Sequence, residues 1–449
     1  MNSNKKPTHF TKIILIVIGV LATILVGLTM INMKKENLKT DPFANDSNQR
    51  DQIVIISDLH LGADLNYAEL KDNLKPLENF LEKVRVSPNI KEFVIAGDLI
   101  DEWFVPATVD TYQGEDQDTF VKRVAETNKI VFDALNKIIQ EKNILVTYVP
   151  GNHDLTITAE QIESILPGIK QARDEELGLG TYSPIDYPQI AIEHGHRYNF
   201  FCAPDPISNQ DVAPGTIMPP GYFFTRIAAL HVVEQCKTSD NVIPKVTRNT
   251  SGNLSQDLLF GYWKEWEDTL KMFPIKNKFD ENVIVTNVNK FTKTYAVNDL
   301  LPYQQIPGGT IDVNLYKKIG DTWEERQKLN NVQVNIPIDR AMKYVADSNE
   351  SDSQASIQYF LNPDSDKRIV VFGHTHVAKI IPTSNFAGEK SIYVNSGTWI
   401  DKNPNKTTMN FVVISPQDNN PTSQTKVKLY NFENEIVTKM SEESLRFED

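Results

Sequence analysis

The chain has 449 residues, 59 of them acidic and 46 basic, for a formal net charge of −13. That balance argues against a nucleic-acid backbone as the main ligand, since such binders present basic stripes. With 40% hydrophobic residues, enough chain remains beyond a leader for one large domain or two of ordinary size. The two cysteines, Cys202 and Cys236, fall within one region; they can pair outside the cytoplasm or stand as two buried thiols, and the count does not choose.

Residues 1–12 form a short tail carrying Lys5, Lys6 and Lys12. Residues 13–33 hold no charge and are mostly Ile, Leu, Val, Met and Ala. At about 1.5 Å each they span roughly 31 Å, which matches the hydrocarbon core of a bilayer. A cleaved signal peptide has a shorter apolar region and a small-x-small cleavage site. Here Met30-Ile-Asn-Met-Lys-Lys follows instead, and no cysteine is near, so a single uncleaved transmembrane helix is expected. Lys34, Lys35 and Lys39 balance the lysines before the span, so the charge rule is tied. A short tail before a large folded part favours export, and an extracytoplasmic, single-pass arrangement is expected. Residues 34–50, rich in Asn, Asp, Lys and Ser, read as a linker.

From residue 51 onward, apolar runs alternate with amphipathic stretches. Ile53–Ile56, Phe93–Ala96, Ile144–Val149, Ile190–Ile192 and Ile369–Phe372 read as strands covered on both faces. Residues 66–84 and 118–139 repeat apolar side chains every three or four positions and predict helices. A polar block follows each strand: Ser57-Asp58-Leu-His60, Gly97-Asp98-Leu-Ile-Asp101, Gly151-Asn152-His153-Asp154, Glu193-His194-Gly-His196 and Gly373-His374-Thr-His376. Open α/β sheets bind ligands at the carboxyl ends of their strands. Carboxylate, imidazole and amide oxygen gathered there suit a divalent metal.

This order of blocks resembles the calcineurin-like metallophosphoesterase family, whose signature is D-x-H, G-D-x-x-(D/E), G-N-H-(D/E), a His before Gly-His, and G-H-x-H. The resemblance covers roughly residues 52–196 and 367–432. It implies a four-layer α/β/β/α sandwich and two divalent metal ions (Mn, Fe or Zn, with Mn favoured). One metal would be held by Asp58, His60 and His376, the other by Asn152, His194 and His374, with Asp98 bridging them. It further implies that His153 faces the substrate and protonates the leaving oxygen, with Asp154 orienting it. Two cations about 3.5–4 Å apart clamp a phosphoryl group and turn a bridging water into hydroxide, and an imidazole suits proton transfer because its pKa lies near neutrality. The wording Ser-Asp-Leu-His-Leu-Gly and Gly-Asp-Leu-Ile-Asp-Glu-Trp is also similar to the UDP-diacylglucosamine pyrophosphatase branch, from which the fourth block and the long segment before the fifth depart.

Taken singly the blocks are ordinary. Asp58-Leu-His60 equally describes a helix cap and a surface histidine, while Gly97-Asp98 and Gly151-Asn152 are turn material. Alternating histidines after a buried strand, as at Gly373–His376, rarely serve packing. His196 reads as support for a ligand or a substrate contact; His9 and His231 read as structural or solvated.

The core is therefore expected in two parts, residues 51–196 and 367–435, separated by a largely helical cap at 197–366. Helices are expected at 222–236, 256–273, 312–329 and 339–360. Tyr222, Phe223, Phe224, Trp263 and Trp266 line a substrate pocket or form the cap's own core, and Arg197 and Arg226 are candidate phosphate contacts. Residues 391–399, 408–415 and 425–432 supply the second sheet, and 436–449 read as an exposed acidic tail. The expected activity is hydrolysis of a phosphomono- or phosphodiester, small or lipid-linked, at the membrane and not on nucleic acid. The alternatives are a pyrophosphatase acting on a nucleotide-linked lipid or sugar, and a non-catalytic metal-binding scaffold. Deleting residues 1–33 removes several tens of CH₂ groups at ~0.8 kcal/mol each. The truncated protein is expected to stay in the soluble fraction without detergent and to keep its activity on a soluble phosphoester, as fractionation and assay will check.

Overall fold

The computed structural model describes residues 41–44, 49–174, 178–345 and 347–447. The expected span at 13–33, and His9, lie outside them; among the described residues no helix is long and apolar enough to cross a membrane.

The apolar runs form two sheets packed face to face. In the larger, β1 (Gln52–Ile56), β2 (Ile90–Ala96), β3 (Leu145–Val149) and the short β4 (Lys170–Gln171) run parallel. The smaller sheet includes β5 (Ile190–Ile192). The insertion contributes two small hairpins, β6 (Ile284–Val285) with β7 (Thr294–Tyr295) and β8 (Tyr303–Gln304) with β9 (Ile311–Asp312). The chain then returns as β10 (Ile369–Phe372), β11 (Lys379–Ser384), β12 (Lys390–Asn395), β13 (Asn410–Ser415), β14 (Thr425–Glu433) and β15 (Ile436–Leu445). Strand order is β15-β14-β13-β1-β2-β3-β4 in one sheet and β11-β12-β10-β5 in the other. Of the three segments expected in the second sheet only β12 lies there, while β13 and β14 extend the first by antiparallel pairing on β1.

Period-two alternation builds the layers. Ile53 and Ile55 meet Ile190, Ile192, Ile369 and Val371 between the sheets, while Val54 and Ile56 turn to the helices. On that outer face the helix Leu74–Val86 buries Leu74, Leu77, Phe80, Leu81 and Val84. On the outer face of the smaller sheet, Phe372 stacks with Tyr198 and meets Tyr359 of the insertion edge-on. The insertion thus supplies an outer layer.

Two expected helices are shorter than their periodicity, for local reasons. The first begins at Leu74 rather than near Asn66 because the distant Asp401 carboxylate accepts the backbone N–H groups of Lys71, Asp72 and Asn73, acting as a cap from across the fold. The stretch 118–139 breaks into Gln117–Thr127 and Lys129–Glu141 at Asn128, whose side-chain amide donates to Val124 O and Gly62 O.

The insertion is less helical than expected. Gly221–Glu234 and Leu254–Met272 form as anticipated, but 312–329 is helical only at Trp323–Leu329, and 339–360 divides into Ile338–Lys343, Ser348–Ala355 and a wider turn at Ser356–Phe360. Pro302, Pro307, Gly308 and Gly309 favour the β8–β9 hairpin, which lies just before the first of these stretches. Tyr222, Phe223, Trp263 and Trp266 are buried in the cap's own core. Cys202 and Cys236 are both free thiols.

The segment expected as an acidic tail is an edge strand. From Ile436 to Leu445 it pairs antiparallel with β14, and Leu445 and Phe447 enter the core between the sheets. Lys439 and Glu442 are exposed and Glu443 pairs with Lys390 of the smaller sheet; this charge hid the strand from a reading by composition. Removing residues 436–449 is expected to cost ~3–6 kcal/mol, at ~1.5–3 kcal/mol for each of the two side chains unburied; urea denaturation will read this as a lowered midpoint, where loss of a true tail would leave it unchanged.

Candidate metal centre

The carboxyl ends of β1, β2, β3, β5 and β10 carry the five polar blocks, and the structure brings them to one edge. Asp98 is the centre. Its Oδ1 accepts the His153 backbone N–H at 2.8 Å, while Oδ2 lies 3.0 Å from His194 Nε2 and 3.6 Å from His60 Nε2. On one side of it His376 Nε2 stands 3.2 Å from Asp58 Oδ1 and 3.1 Å from His60 Nε2. On the other side Asn152 Oδ1 is 3.2 Å from His194 Nε2 and 2.9 Å from His374 Nδ1. Asp98 lies between the two groupings, within 3.6 Å of His60 and 3.0 Å of His194.

Donors about 2.0–2.1 Å from an ion stand roughly 3.3 Å apart in a tetrahedral array, close to these separations. The imidazoles are also oriented for it. His194 Nδ1 donates to Ala96 O at 2.9 Å and His60 Nδ1 faces Asp101 Oδ2 at 3.0 Å, so the other nitrogen of each ring turns its lone pair inward. Asp58, His60 and His376 gather within ligand range of one another, as do Asp58, Asp98 and His194. The donor set suits a divalent metal.

The backbone is forced into place around these side chains. Asp58, His60, Asp98, His374 and His376 all adopt φ between 48° and 69°, a region L-residues avoid at a cost of about 1–3 kcal/mol each. Cross-block hydrogen bonds sustain them: the Asp58 N–H donates to Gly97 O, the His60 N–H to Asp98 O and the His374 N–H to the Asp58 carboxylate. The glycine of the third block is required by close approach, since a Cβ on Gly151 would lie 2.4 Å from the Asp98 backbone nitrogen. The segment after β12 closes the edge. Asn395 Nδ2 donates to Gly373 O, and Thr398 Oγ1 and the Trp399 N–H donate to Asp58 O.

Burial disfavours every charge here, and the charges compensate one another. It would raise the Asp58 and Asp98 carboxyls, but the neighbouring imidazoles outweigh it and both lie below the usual range. Conversely burial would depress His194, but Asp98 and Asp58 outweigh it and push it up to about 9. The carboxylates draw positive charge inward, and protons on imidazole answer that demand where no cation does. His374, buried and facing His194, is pushed down to about 3.

His153 sits at the rim, its side chain 12% exposed. The sequence resemblance assigned its orientation to Asp154, and the structure corrects this. Asp154 Oδ2 accepts the N–H groups of Leu99 and Ile100 and Oδ1 accepts that of Gly151, so it staples the second block to the third through backbone and does not reach the ring. Asp101 does: its Oδ1 is 2.8 Å from His153 Nδ1 while its Oδ2 faces His60. Burial pulls the His153 imidazolium down, but Asp101 outweighs it and holds the ring above its ordinary value. A carboxylate three residues after Asp98 was in view in the sequence; only its distance to the two rings was not. Glu69, 3.4 Å from His60 Nδ1, carries no sequence signal and was missed.

Arg197 and Arg226 are not phosphate contacts. Arg197 serves Glu193, Asp174 and Asn330 O, and Arg226 is buried among carbonyls. His196 is buried with neither ring nitrogen hydrogen-bonded and its ring centre 5.4 Å from that of His194. His231 is structural, with Nδ1 against Pro274 O.

Paired carboxylate and imidazole donors at a sheet edge, with a carboxylate-held histidine at the rim, define a metal-dependent hydrolase of phosphoric esters. Residues 52–220 match the calcineurin-like phosphoesterase family, and the chain carries a domain of that family. No curated protein matches the chain. The matched range ends before β10, so His374 and His376 join the site from outside it.

The two aspartates should separate by experiment. Asp101→Asn is expected to lower turnover by ~10²–10⁴, the scale of a mispositioned acid or base, with thermal stability nearly unchanged. Asp154→Asn, which weakens the staple between backbones, is expected to lower the melting temperature first; assay and calorimetry on both variants will check the order.

Proposed function

We propose that the chain is a membrane-anchored phosphoesterase with a dinuclear metal centre, hydrolysing a phosphomono- or phosphodiester. One observation carries the reading: seven donors from five strand ends converge as two sets sharing Asp98 Oδ2, with His153 beside them on Asp101. Asp58, His60 and His376 would hold one ion and Asn152, His194 and His374 the other, with Asp98 between. Bound divalent ions polarise the phosphoryl oxygens and supply an activated water. Asn152 contributes a neutral oxygen, which limits the negative charge facing an anionic substrate. His153 holds a proton at the ring nitrogen opposite Asp101 and gives it to the leaving oxygen, which is general-acid catalysis. That His153–Asp101 pair speaks against a purely metal-binding scaffold, which has no use for it.

Uncharged residues 13–33 support attachment to a bilayer, with the catalytic part outside the cytoplasm. The insertion at 197–366 leaves the smaller sheet just after His194 and His196, at the edge that carries the donors, which supports its reading as a cap that selects the substrate.

Chelation of the purified protein is expected to abolish hydrolysis, and Mn²⁺ to restore it most fully in a comparison with Fe²⁺ and Zn²⁺. A panel of phosphomonoesters, phosphodiesters and pyrophosphates assigns the bond cleaved. Asp98→Asn is expected to weaken binding of both equivalents of metal in a titration followed by elemental analysis, since it removes the one shared charge; loss of a single equivalent would remove the bridging role.

A further inference from the structure

The loop after the second block is held by the insertion, and it carries an indole that lies on His153. Trp103 stacks against the His153 ring with centroids 5.0 Å apart and planes at 30°, and is almost fully buried. The backbone N–H groups of Trp103 and Phe104 donate to Asp101 Oδ1, the same oxygen that faces His153 Nδ1. The imidazole is therefore gripped in its plane by the carboxylate and on its face by the indole.

Behind Trp103 stands the insertion's helix Gly221–Glu234. Tyr222 meets the indole edge-on at 6.3 Å, and Gly221 lies so near that a Cβ there would be 3.2 Å from the indole Cζ3. Arg226, on the next turn, reaches the rest of the loop: its guanidinium donates to the carbonyls of Val105, Pro106, Ala107 and Val109, and to Val285 O. It is fully buried and forms no ion pair among the described residues. A buried cation without a carboxylate depends on such dipoles for its solvation, so loop and helix are bound to move together. The Val285 N–H, donating to Ala107 O at 2.8 Å, adds a second link from the insertion.

We propose that Trp103 is a positioning residue for the general acid and that Arg226 and Tyr222 of the insertion hold it there, so that the insertion governs proton delivery to the leaving group. This rests on the reading of His153 as that acid. Proton delivery matters in proportion to how poor the leaving group is: a nitrophenolate departs without a proton and a simple alkoxide does not.

The test compares a nitrophenyl ester with an alkyl ester of the same phosphoryl group, on Trp103→Leu and Arg226→Lys in the full, metal-loaded chain. Both variants are expected to lose ~10–100-fold in kcat on the alkyl ester and under about threefold on the nitrophenyl ester, with metal content unchanged. In a His153→Ala background the further loss should vanish, because the residue being positioned is gone. Equal losses on both esters, or losses that add fully to that of His153→Ala, overturn the proposal. If His153→Ala itself does not discriminate between the esters, the general-acid reading fails and the proposal fails with it. A readout independent of turnover is the His153 ring signal in histidine-labelled protein, assigned by its absence in His153→Gln: Arg226→Lys is expected to shift it, and an unmoved signal removes the insertion from the argument.

Discussion

Asp58, Asp98, Asp101 and Asp154 are buried together at the ends of three parallel strands, and that concentration of carboxylate is the constraint the rest of the structure answers. The carboxylates are answered in two ways, by imidazole and by backbone. Asp58 and Asp98 are matched by His194, His376 and His60, and Asp101 by His153 and His60. Asp154, raised by burial and by Asp98, is matched by three backbone N–H donors. Burying a charge without partners costs more than a domain can spare. The positive-φ residues, the close-approach glycine and the clamp from Asn395 to Trp399 are what keep the partners within reach.

The same constraint explains why two sheets are needed. A single parallel sheet offers Asp58, Asp98 and Asn152 from adjacent strands, which are mostly carboxylate and amide. The imidazoles that balance them come chiefly from the smaller sheet, through β5 and β10. Face-to-face packing of Ile53 and Ile55 on Ile192 and Val371 sets the distance between those edges. The apolar contacts between the sheets thus determine the spacing of the donors.

The insertion is tied into the site more closely than a lid would be. Its contacts run from Tyr198 and Tyr359 on the outer face of β10 to Arg226 on the loop behind His153. Its aromatic residues Tyr222, Phe223, Trp263 and Trp266 are buried and continue the apolar cluster that holds Trp103 and Phe372, so its density of Trp, Tyr and Phe serves packing.

Much of this was legible in the chain itself. Apolar runs that end in a polar block mark strands and ligand positions together, because both signals are local: β propensity within the run, and donor chemistry in the residues after it. His60, Asp98, Asn152, His194 and His376 were readable in that way as candidate donors at strand ends, while the division into two sets around Asp98 came only from the family resemblance. What the chain could not show was which carboxylate meets which ring. Asp101 and Asp154 are each a few residues from a candidate donor and chemically identical, and only the turn that aims Asp101 at His153 and Asp154 at the backbone separates them. The edge strand Ile436–Leu445 was hidden for a related reason, since a strand with one solvated face reads as a charged tail until a partner strand is beside it. Composition and spacing determined the donors; long-range packing, which no local pattern encodes, decided their pairings.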